Sequence, residues 1–482
     1  MVNAKIQKII VANPPWPGRG YGVRSNSRWP HKRGDKILPY PIYLAYLVSV
    51  LRKRGFKVAG IDAVVQELSI KSFTNKVAAM QPDAIVIEVA TPSFDYDIET
   101  FRQIKARMKD VILVMIGTHG SIKYEEIMEK YPFVDYIVRG EFDYTVPELF
   151  DAINKKKKLS SVDGLVYKEK KILKVNKDRN LIMNLDELPY PARDVFKIEH
   201  YQQGWYMRKT GLLITSRGCP SRCTFCVWPE ILYGHKFRMR SPKSIVDEME
   251  YLVKELGVQE IDFDDDTFTT NPKHVEGICK EILARGLKVP WRCFARVSGL
   301  TKELLMLMKK AGCYYLCFGV ESGSPIILQN VKKGISLEQA IKVTKWCREL
   351  KLRTHATYMF GLTGETPNTI RQTINFAKML DTDTVQFSIA MPFPGTKFFQ
   401  EMEEKGYIDY KRWSDFDGTK GPIIHTDKIS KKDFSRIISK AYREYFFRPK
   451  FVIRNVFGVK NILDIRLLLR GLRTVLSRVF FY

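Results

Sequence analysis

The chain has 482 residues, which is enough for two to four domains. Apolar residues make up 45% of it and charged residues 27%, a balance that excludes a disordered, collagen-like or small disulfide-stapled protein. Its 79 lysine and arginine residues outnumber the 53 aspartate and glutamate residues, so the net charge is +26. This charge favours a polyanionic partner or an acidic membrane surface, or simply gives a basic surface in water.

The sequence shows neither a membrane-spanning nor a secretory pattern. No run of 18 apolar residues occurs, and the short apolar stretch 9–12 leads directly into Asn13-Pro14-Pro15. We therefore expect a cytoplasmic, reducing location. In that compartment the eight cysteines act as thiols or metal ligands rather than as disulfides.

Strand and helix patterns alternate through residues 1–154. The alternation predicts a doubly wound parallel sheet with right-handed crossovers. Ligands bind at the carboxyl ends of such strands, and the loops there are rich in glycine, proline, serine and threonine, which leaves room for a large flat ligand. The predicted strands are 8–12, 57–61, 84–89, 111–116 and 136–138, the helices 41–54, 70–80, 96–108, 121–131 and 146–153, and the loops 13–22, 90–94, 117–120 and 140–143.

One of these loops contains His119, which either contacts the ligand or makes an ordinary hydrogen bond. No Gly-x-Gly-x-x-Gly sequence opens a helix in this unit. A nicotinamide cofactor is therefore disfavoured.

A second alternation runs through residues 207–400 and predicts an open, six-unit (β/α) barrel. Chemistry in such barrels gathers at the carboxyl ends of the strands, so polar groups there are candidate site residues. The predicted strands are 212–216, 260–264, 291–296, 315–319, 353–359 and 384–389, and the helices are 243–256, 273–284, 302–310, 337–350 and 367–380. The polar groups at the strand ends are a cysteine loop, Asp264-Asp265-Asp266, Arg296, Glu321-Ser322-Gly323, 361–366 and 392–396.

The cysteine loop carries Cys219, Cys223 and Cys226 directly after an apolar strand. Three thiolates in one tight loop predict a metal site. A fully ligated cubane iron–sulfur cluster needs four protein ligands, so three would leave one iron open for a substrate or cofactor. A zinc site is the alternative, although no second ligand pair follows at the usual spacing. The other five cysteines are spread over separate elements, which favours ordinary packing over an auxiliary cluster.

Two further segments complete the predicted organisation. Residues 155–206 form a charged linker with a small hairpin at 164–168 and 172–176, and residues 401–482 form a helical, basic C-terminal region. The end of this region either lies on an anionic bilayer as an amphipathic helix, or packs on the barrel with its basic face in water. Its periodic apolar residues are Ile462, Leu463, Ile465, 467–469, Leu472, Val475, Leu476, Val479 and Phe480, interleaved with Arg466, Arg470, Arg473 and Arg478.

Several segments together resemble the radical S-adenosylmethionine (SAM) enzymes that carry an N-terminal cobalamin-binding-type domain. That group includes cobalamin-dependent methylases and the anaerobic magnesium-protoporphyrin ester cyclase, and the resemblance covers residues 5–400. The matching segments are 216–226, 263–268, 311–313, 319–324, 361–366 and 392–396, with 13–15, 91–93, 117–119 and 139–141 in the first unit.

The resemblance implies that Cys219, Cys223 and Cys226 hold a [4Fe–4S] cluster whose open iron binds SAM. One electron then cleaves the sulfonium and releases a 5′-deoxyadenosyl radical that attacks an unactivated carbon. The resemblance implies SAM contacts for Phe225, Asp264, Asp265, Asp266, Arg296, Glu321 and Ser322. It implies cobalamin contacts for Thr91, Ser93, Gly117, His119 and Gly140. The cobalt-ligating Asp-x-His-x-x-Gly sequence is absent, as in many members that leave the lower cobalt face free.

The expected reaction is cobalamin-dependent methyl transfer to a small-molecule or lipid substrate, with reduced ferredoxin or flavodoxin as the electron donor. Cobalamin-independent cyclisation or rearrangement is the alternative. A nucleic-acid-binding or tRNA-modifying protein would also explain the charge. It is disfavoured because the first 218 residues contain no cysteine for a second cluster. The expected location is the cytoplasm, with a peripheral position on the inner membrane face if the basic tail lies on the bilayer.

Overall fold

The structure is a computed structural model that describes residues 5–24, 30–34, 36–202 and 208–457, together with Ile465, Leu469, Gly471, Leu472 and Leu476. Two largely parallel sheets flanked by helices form its framework, so the predicted α/β architecture is confirmed. The elements before residue 203 are β1 (Lys8–Asn13), β2 (Tyr21–Val23), β3 (His31–Arg33), α1 (Ile42–Lys53), β4 (Lys57–Asp62), α2 (Ile70–Met80), β5 (Ala84–Glu88), α3 (Phe94–Arg107), β6 (Ile112–Ile116), α4 (Thr118–Ile122), α5 (Tyr124–Lys130), β7 (Tyr136–Val138), α6 (Thr145–Asn154), β8 (Leu165–Glu169) and β9 (Ile172–Val175).

The first sheet has the order β4-β1-β5-β6-β7-β8-β9, parallel through β7 and antiparallel beyond it. Successive residues of β1 enter different cores: Ile9 and Val11 join one cluster, and Ile10 and Ala12 join the other. The sheet is therefore covered on both faces. Strand β1 pairs with β4 on one side and with β5 on the other, so the direction in which strands are added to the sheet reverses at β1. The loops after β1 and β5 therefore diverge and leave a crevice at the carboxyl edge of the sheet.

The second sheet has the order β10-β13-β14-β15-β16-β17, with every neighbouring pair parallel. Its helices pack on one face, and their apolar side chains extend the larger core of the first sheet. The elements after residue 207 are β10 (Thr210–Leu213), β11 (Ser216–Arg217), β12 (Arg238–Met239), α7 (Pro242–Lys254), β13 (Glu260–Phe263), α8 (Pro272–Ala284), β14 (Trp291–Ala295), α9 (Lys302–Lys310), β15 (Cys313–Glu321), α10 (Pro325–Asn330), α11 (Leu337–Glu349), β16 (Arg353–Phe360), α12 (Pro367–Leu380), β17 (Thr384–Ile389), α13 (Lys397–Glu404), α14 (Lys431–Phe446) and α15 (Pro449–Phe457).

Several predicted boundaries differ from the structure. The strand predicted at 212–216 ends at Leu213, because Ser216 and Arg217 leave the sheet to pair with β12. The helix predicted at 121–131 is two helices, α4 and α5, and α4 begins earlier, at Thr118. The hairpin predicted at 164–176 is present as β8 and β9, and it extends the first sheet rather than standing apart.

The segment after β17 packs back onto the sheet. The Tyr442 hydroxyl of α14 donates to the carbonyl of Phe387 at 3.1 Å, and the Tyr445 hydroxyl donates to the carbonyl of Thr382 at 2.6 Å. Most of the amphipathic pattern predicted at 462–480 lies outside the described residues. None of the helices in the described ranges has the length and apolar character needed to cross a bilayer.

Candidate functional site

The loop that carries Cys219, Cys223 and Cys226 begins where β10 ends and the chain turns into β11. Gly218 makes this turn possible, because its φ is +84° and a Cβ there would lie 2.4 Å from the Lys236 carbonyl oxygen. Only glycine combines that backbone conformation with so close an approach. The first cysteine is thus held against the β11–β12 pair.

The three thiols lie close enough to influence one another. Burial raises the pKa of Cys226, and the neighbouring charges of Cys223, Asp266 and Cys219 raise it further. All eight cysteines are free thiols. Within the described ranges, no three His, Cys, Asp or Glu side chains surround a single ion position. A cubane binds each thiolate at a separate iron, so three free thiols on one loop fit a [4Fe–4S] cluster.

The acidic triplet after β13 supports the start of this loop. Buried Asp265 accepts hydrogen bonds from the backbone and hydroxyl of Thr215, at 2.8 and 3.0 Å, and from the backbone and hydroxyl of Ser216. Asp266 accepts from the Gly218 amide at 3.1 Å, and the side chain of Asp264 is buried. Burial raises the pKa of Asp265 to about 6. These contacts show that Asp265 and Asp266 shape the cysteine loop.

Arg296, at the end of β14, joins the cysteine loop to the loop that follows α10. Its guanidinium donates to the Ser221 hydroxyl, to the carbonyl of Lys333 and, at 2.8 Å, to the carbonyl of Gly334. It also donates to the Ser298 hydroxyl at 2.7 Å. The predicted site residue is therefore beside the thiols, where it holds two loops together.

Glu321 closes β15 at a point where the pairing with β16 shifts register. Its φ of +68° is unusual for a residue with a side chain, and its carboxylate lies 2.8 Å from the Lys333 ammonium. Burial raises the pKa of the Cys223 thiol, and the Lys333 charge partly offsets that rise. By contrast, Ser322 faces away from the thiols and bonds the Thr373 hydroxyl of α12 at 3.0 Å.

Phe225, inside the loop, is half-buried and packs against the larger core.

The face of the second sheet opposite the helices carries several half-buried side chains. Along β14, β15, β16 and β17 these side chains alternate with buried ones, as expected for residues that border a cavity, whereas β10 and β13 are buried throughout. The pairing places Phe294 beside Cys317, Cys317 beside His355, and Thr357 beside Gln386. Burial, with the nearby Arg292 charge, lowers the pKa of His355 to about 4, so its imidazole is neutral. This face thus combines apolar and neutral polar groups with Arg292, whose charge is paired with that of Asp262.

A buried network joins the loops that follow β1 and β5 at the edge of the first sheet. The Arg24 guanidinium pairs with Asp97 at 2.7 Å, donates to the Asn13 side chain at 2.6 Å and donates to the Ser93 hydroxyl at 3.2 Å. Ser93 in turn donates to Asp97 at 2.5 Å. The predicted residue Ser93 is therefore a structural link between Asn13-Pro14-Pro15 and α3.

His119 is buried at the same edge, between the rings of Phe94 and Trp413 at centroid distances of 4.3 and 4.7 Å. Its Nδ1 lies 3.2 Å from the Thr91 hydroxyl, and its Nε2 has no hydrogen-bond partner among the described residues. Burial, with the nearby charge of Lys123, lowers the pKa of His119 to about 3. A neutral imidazole with an unpartnered buried nitrogen is a suitable contact for a bound ligand.

Two glycines shape this edge in different ways. Gly117 has a φ of +104°, and a Cβ there would lie 2.4 Å from the Val89 carbonyl oxygen, so the residue is required by the fold. Gly140 has a φ of +67°, but a Cβ there would meet nothing closer than 3.8 Å. The space beside Gly140 would therefore admit at least a methyl-sized group.

The carboxyl edges of the two sheets meet. Arg217, two residues before Cys219, forms ion pairs with Asp143 and Glu141 at 2.7 and 3.1 Å, and Arg238 joins Glu141 at 2.8 Å. All four side chains are almost fully buried. In addition, α4 packs against the π-helical turn Pro229–Tyr233 that follows the cysteine loop. The loop at 140–143 and the cysteine loop are therefore fixed relative to each other.

Comparison with known proteins matches both parts of the chain to families. Residues 213–377 match the radical SAM superfamily, and residues 38–150 match the B12 binding domain. An uncharacterized methyltransferase of Pyrococcus horikoshii is 33% identical over 472 residues, covering 98% of this chain and 99% of its own length. The chain belongs to the radical SAM superfamily.

Two further proteins extend the similarity. The anaerobic magnesium-protoporphyrin IX monomethyl ester cyclase of Rubrivivax gelatinosus is 25% identical over 454 residues, covering 92% of this chain and 78% of the cyclase. The fold matches the radical SAM methyltransferase TsrM of Kitasatospora setae, solved with cobalamin and a [4Fe–4S] cluster, with a TM-score of 0.67. That match is 21% identical and covers 84% of this chain and 79% of TsrM. The predictions of a radical SAM enzyme and a cobalamin-type domain are confirmed.

The side-chain contacts between distant residues of this radical SAM enzyme are not apparent from its sequence. Lys333 was not identified as a site residue, since no local pattern separates it from the neighbouring Lys332. Arg217 and Glu141 both stand in the matched segments, but nothing in either segment shows that they pair. Trp413 stands out as an apolar anchor, whereas its contact with His119 depends on the fold.

Proposed function

We propose that this radical SAM enzyme transfers a methyl group to an unactivated carbon of a small molecule with the help of cobalamin. The observation that carries the proposal is the buried connection from Arg217 to Asp143 and Glu141. It holds the cysteine loop against the edge of the B12-type domain, so that two cofactors bound there would face a common space.

The residues at each edge suit different groups. We assign Cys219, Cys223 and Cys226 to the [4Fe–4S] cluster. We assign SAM to the rim formed by Phe225, Asp264, Asp266, Arg296 and Glu321, with Asp265 and Ser322 as supports behind it. We assign cobalamin to the edge formed by Thr91, Gly117, His119 and Gly140, with Ser93 supporting its loop. When bound, these groups supply a carbon radical and a transferable methyl group.

The chain itself positions the reactants and excludes water. Arg296 fixes the cysteine loop, and the Glu321–Lys333 pair places one charge of each sign beside it. We propose that the six-stranded sheet is the open six-unit barrel and that the substrate lies in its lumen. The mixture of Phe294 and Met359 with His355, Thr357 and Gln386 suits an uncharged molecule with an apolar body and a few hydrogen-bonding groups.

The position of the enzyme in the cell is a further part of the proposal. Phe457 is 83% exposed and Ile453 is 55% exposed on α15, directly before the basic end of the chain. Apolar side chains beside cations suit a peripheral contact with an anionic membrane. Co-sedimentation with anionic vesicles, compared with neutral ones, tests this contact, and equal binding to both would contradict it.

The reaction is tested anaerobically, after reconstitution with iron, sulfide and hydroxocobalamin. The enzyme receives SAM labelled with a trideuteromethyl group, a chemical reductant and a small-molecule extract. We expect 5′-deoxyadenosine, S-adenosylhomocysteine and a deuterated product, all lost in Cys226→Ala and retained in Cys347→Ala, whose thiol is buried elsewhere. Formation of 5′-deoxyadenosine without label transfer or corrinoid dependence would favour cyclisation instead. Absence of 5′-deoxyadenosine would reject both reactions.

A further inference from the structure

An open cavity of about 440 Å³ lies on the outer side of the cysteine loop. Its walls include Ser221 and Arg222 from that loop, Arg296 from the end of β14, and Lys332 and Gly334 from the loop after α10. The cavity is thus built from the same two loops that Arg296 joins by hydrogen bonds. Its shape is therefore fixed by the contacts that support the thiols.

The wall of this cavity is cationic. Arg222 and Lys332 are both exposed, and neither forms an ion pair within the described part of the chain. Arg296 adds a third positive charge, and no aspartate or glutamate is among the lining residues. Cations gathered at one opening attract a negatively charged partner and raise its rate of encounter.

The same wall is in direct contact with a thiol. The Sγ atom of Cys223 lies 3.9 Å from the carbonyl oxygen of Lys332, and the amide of Thr224 donates to the carbonyl of Val331 at 3.1 Å. The cavity wall is therefore one residue thick at Cys223. A partner seated in the cavity would come closer to a cluster held by these thiols than one on the opposite, helix-covered side.

We propose that this cavity and its rim are the docking face for a small acidic one-electron carrier protein, which bears a flavin or an iron–sulfur group. The inference rests on the proposed function, because reductive cleavage of SAM consumes one electron per molecule. The carrier is oxidised by one electron and the cluster is reduced by one electron. No bond forms or breaks and no proton moves in this step. Arg222 and Lys332 recognise the carrier by charge.

The test compares two double variants of equal charge change. Arg222→Glu/Lys332→Glu reverses two charges of the proposed docking face. Lys170→Glu/Lys171→Glu reverses two exposed charges elsewhere, in the turn between β8 and β9. Binding of a small acidic flavodoxin to each cluster-loaded enzyme is measured by calorimetry at several salt concentrations. We expect about a tenfold or greater loss of flavodoxin affinity in the Arg222→Glu/Lys332→Glu variant only. The affinity of this variant should also depend less on salt concentration between about 50 and about 200 mM.

Electron transfer provides the second readout. With reduced flavodoxin, formation of 5′-deoxyadenosine should slow in Arg222→Glu/Lys332→Glu by about the same factor as the affinity, whereas with titanium(III) citrate it should slow much less. Equal flavodoxin affinity in both double variants would overturn the proposal, as would no binding to the unaltered enzyme. An equal loss with titanium(III) citrate would also overturn it. Failure of the proposed function is recognised separately, because the unaltered enzyme would then form no 5′-deoxyadenosine with the chemical reductant.

Discussion

Arg217 and Asp143 form a bidentate ion pair between the two sheets, with nitrogen–oxygen distances of 2.7 and 3.1 Å. Each side chain is only 1% exposed. A guanidinium matches a carboxylate in this geometry, which fixes orientation as well as distance. Because Arg217 precedes the cysteine loop and Asp143 ends the loop at 140–143, the pair sets the distance between these two loops.

Asp143→Asn is expected to lower the free energy of unfolding by about 3 kcal/mol, since it removes one charge of a buried pair and leaves Arg217 partly uncompensated. Denaturant unfolding measures this change. The exposed pair of Lys302 and Glu349 provides the control, because Glu349→Gln should cost less than about 1 kcal/mol. Equal stability of the Asp143→Asn variant and the unaltered chain would show that the pair does not stabilise the junction.

The cysteine ligands give a second prediction. The anaerobically reconstituted chain should contain about four iron atoms. Alanine at Cys219, Cys223 or Cys226 should reduce that content sharply, whereas Cys279→Ala should retain it, because Cys279 lies on the buried face of α8 in the core. Iron and sulfide analysis with electron paramagnetic resonance measures the outcome. Loss of iron from Cys279→Ala, with retention in Cys226→Ala, would contradict the assignment.

Much of the fold was predictable because its signals are local. Strands β5 and β6 are continuous apolar runs, and α12 begins with Thr366 as a capping residue followed by Pro367, so their positions follow from neighbouring residues. The cysteine loop is equally local, since its ligands lie within eight residues.

The contacts between distant segments were not predictable in this way. Arg24 joins Asn13 to Asp97, and Trp413 reaches His119 from 294 positions further along the chain. The first pairing depends on how the loops of the first sheet pack together, and the second on how the segment after the second sheet packs against the first. No short sequence window encodes either arrangement. For the same reason the roles of Asp265 and Ser322 as supports became visible only with their hydrogen bonds.

Lys333 gives a prediction about reduction. Its ammonium lies 2.8 Å from Glu321, is mostly buried, and partly offsets the rise that burial causes in the pKa of the Cys223 thiol. Lys333→Gln removes a positive charge beside the cluster ligands, so adding an electron there becomes less favourable. We expect the reduction potential to become more negative by on the order of tens of millivolts.

A redox titration followed by electron paramagnetic resonance measures that potential. Lys332→Gln is the matched control, since its side chain is exposed and water screens its charge. Its potential should therefore shift much less. Equal shifts in the two variants would show that Lys333 has no special influence on the cluster.

His119 gives a prediction about pH. Its pKa is about 3 in the folded chain, because of burial first and the Lys123 charge second, and about 6.5 when unfolded. Between these values the unfolded state binds more protons, so the free energy of unfolding falls as the pH drops below 6.5. The contribution of this one group approaches about 1.4 kcal/mol per pH unit. Above pH 6.5 both states are neutral and the contribution is constant.

Replacement of His119 removes that slope while leaving other titrating groups in place. Unfolding of His119→Gln, followed by denaturant titration between about pH 5 and about pH 7, should therefore depend less on pH than that of the unaltered chain. His200→Gln is the control, because His200 is exposed and its loss should leave the dependence unchanged. If His119→Gln kept the full slope, the imidazole would be accessible to protons in the folded state, and its place beneath Trp413 would be wrong.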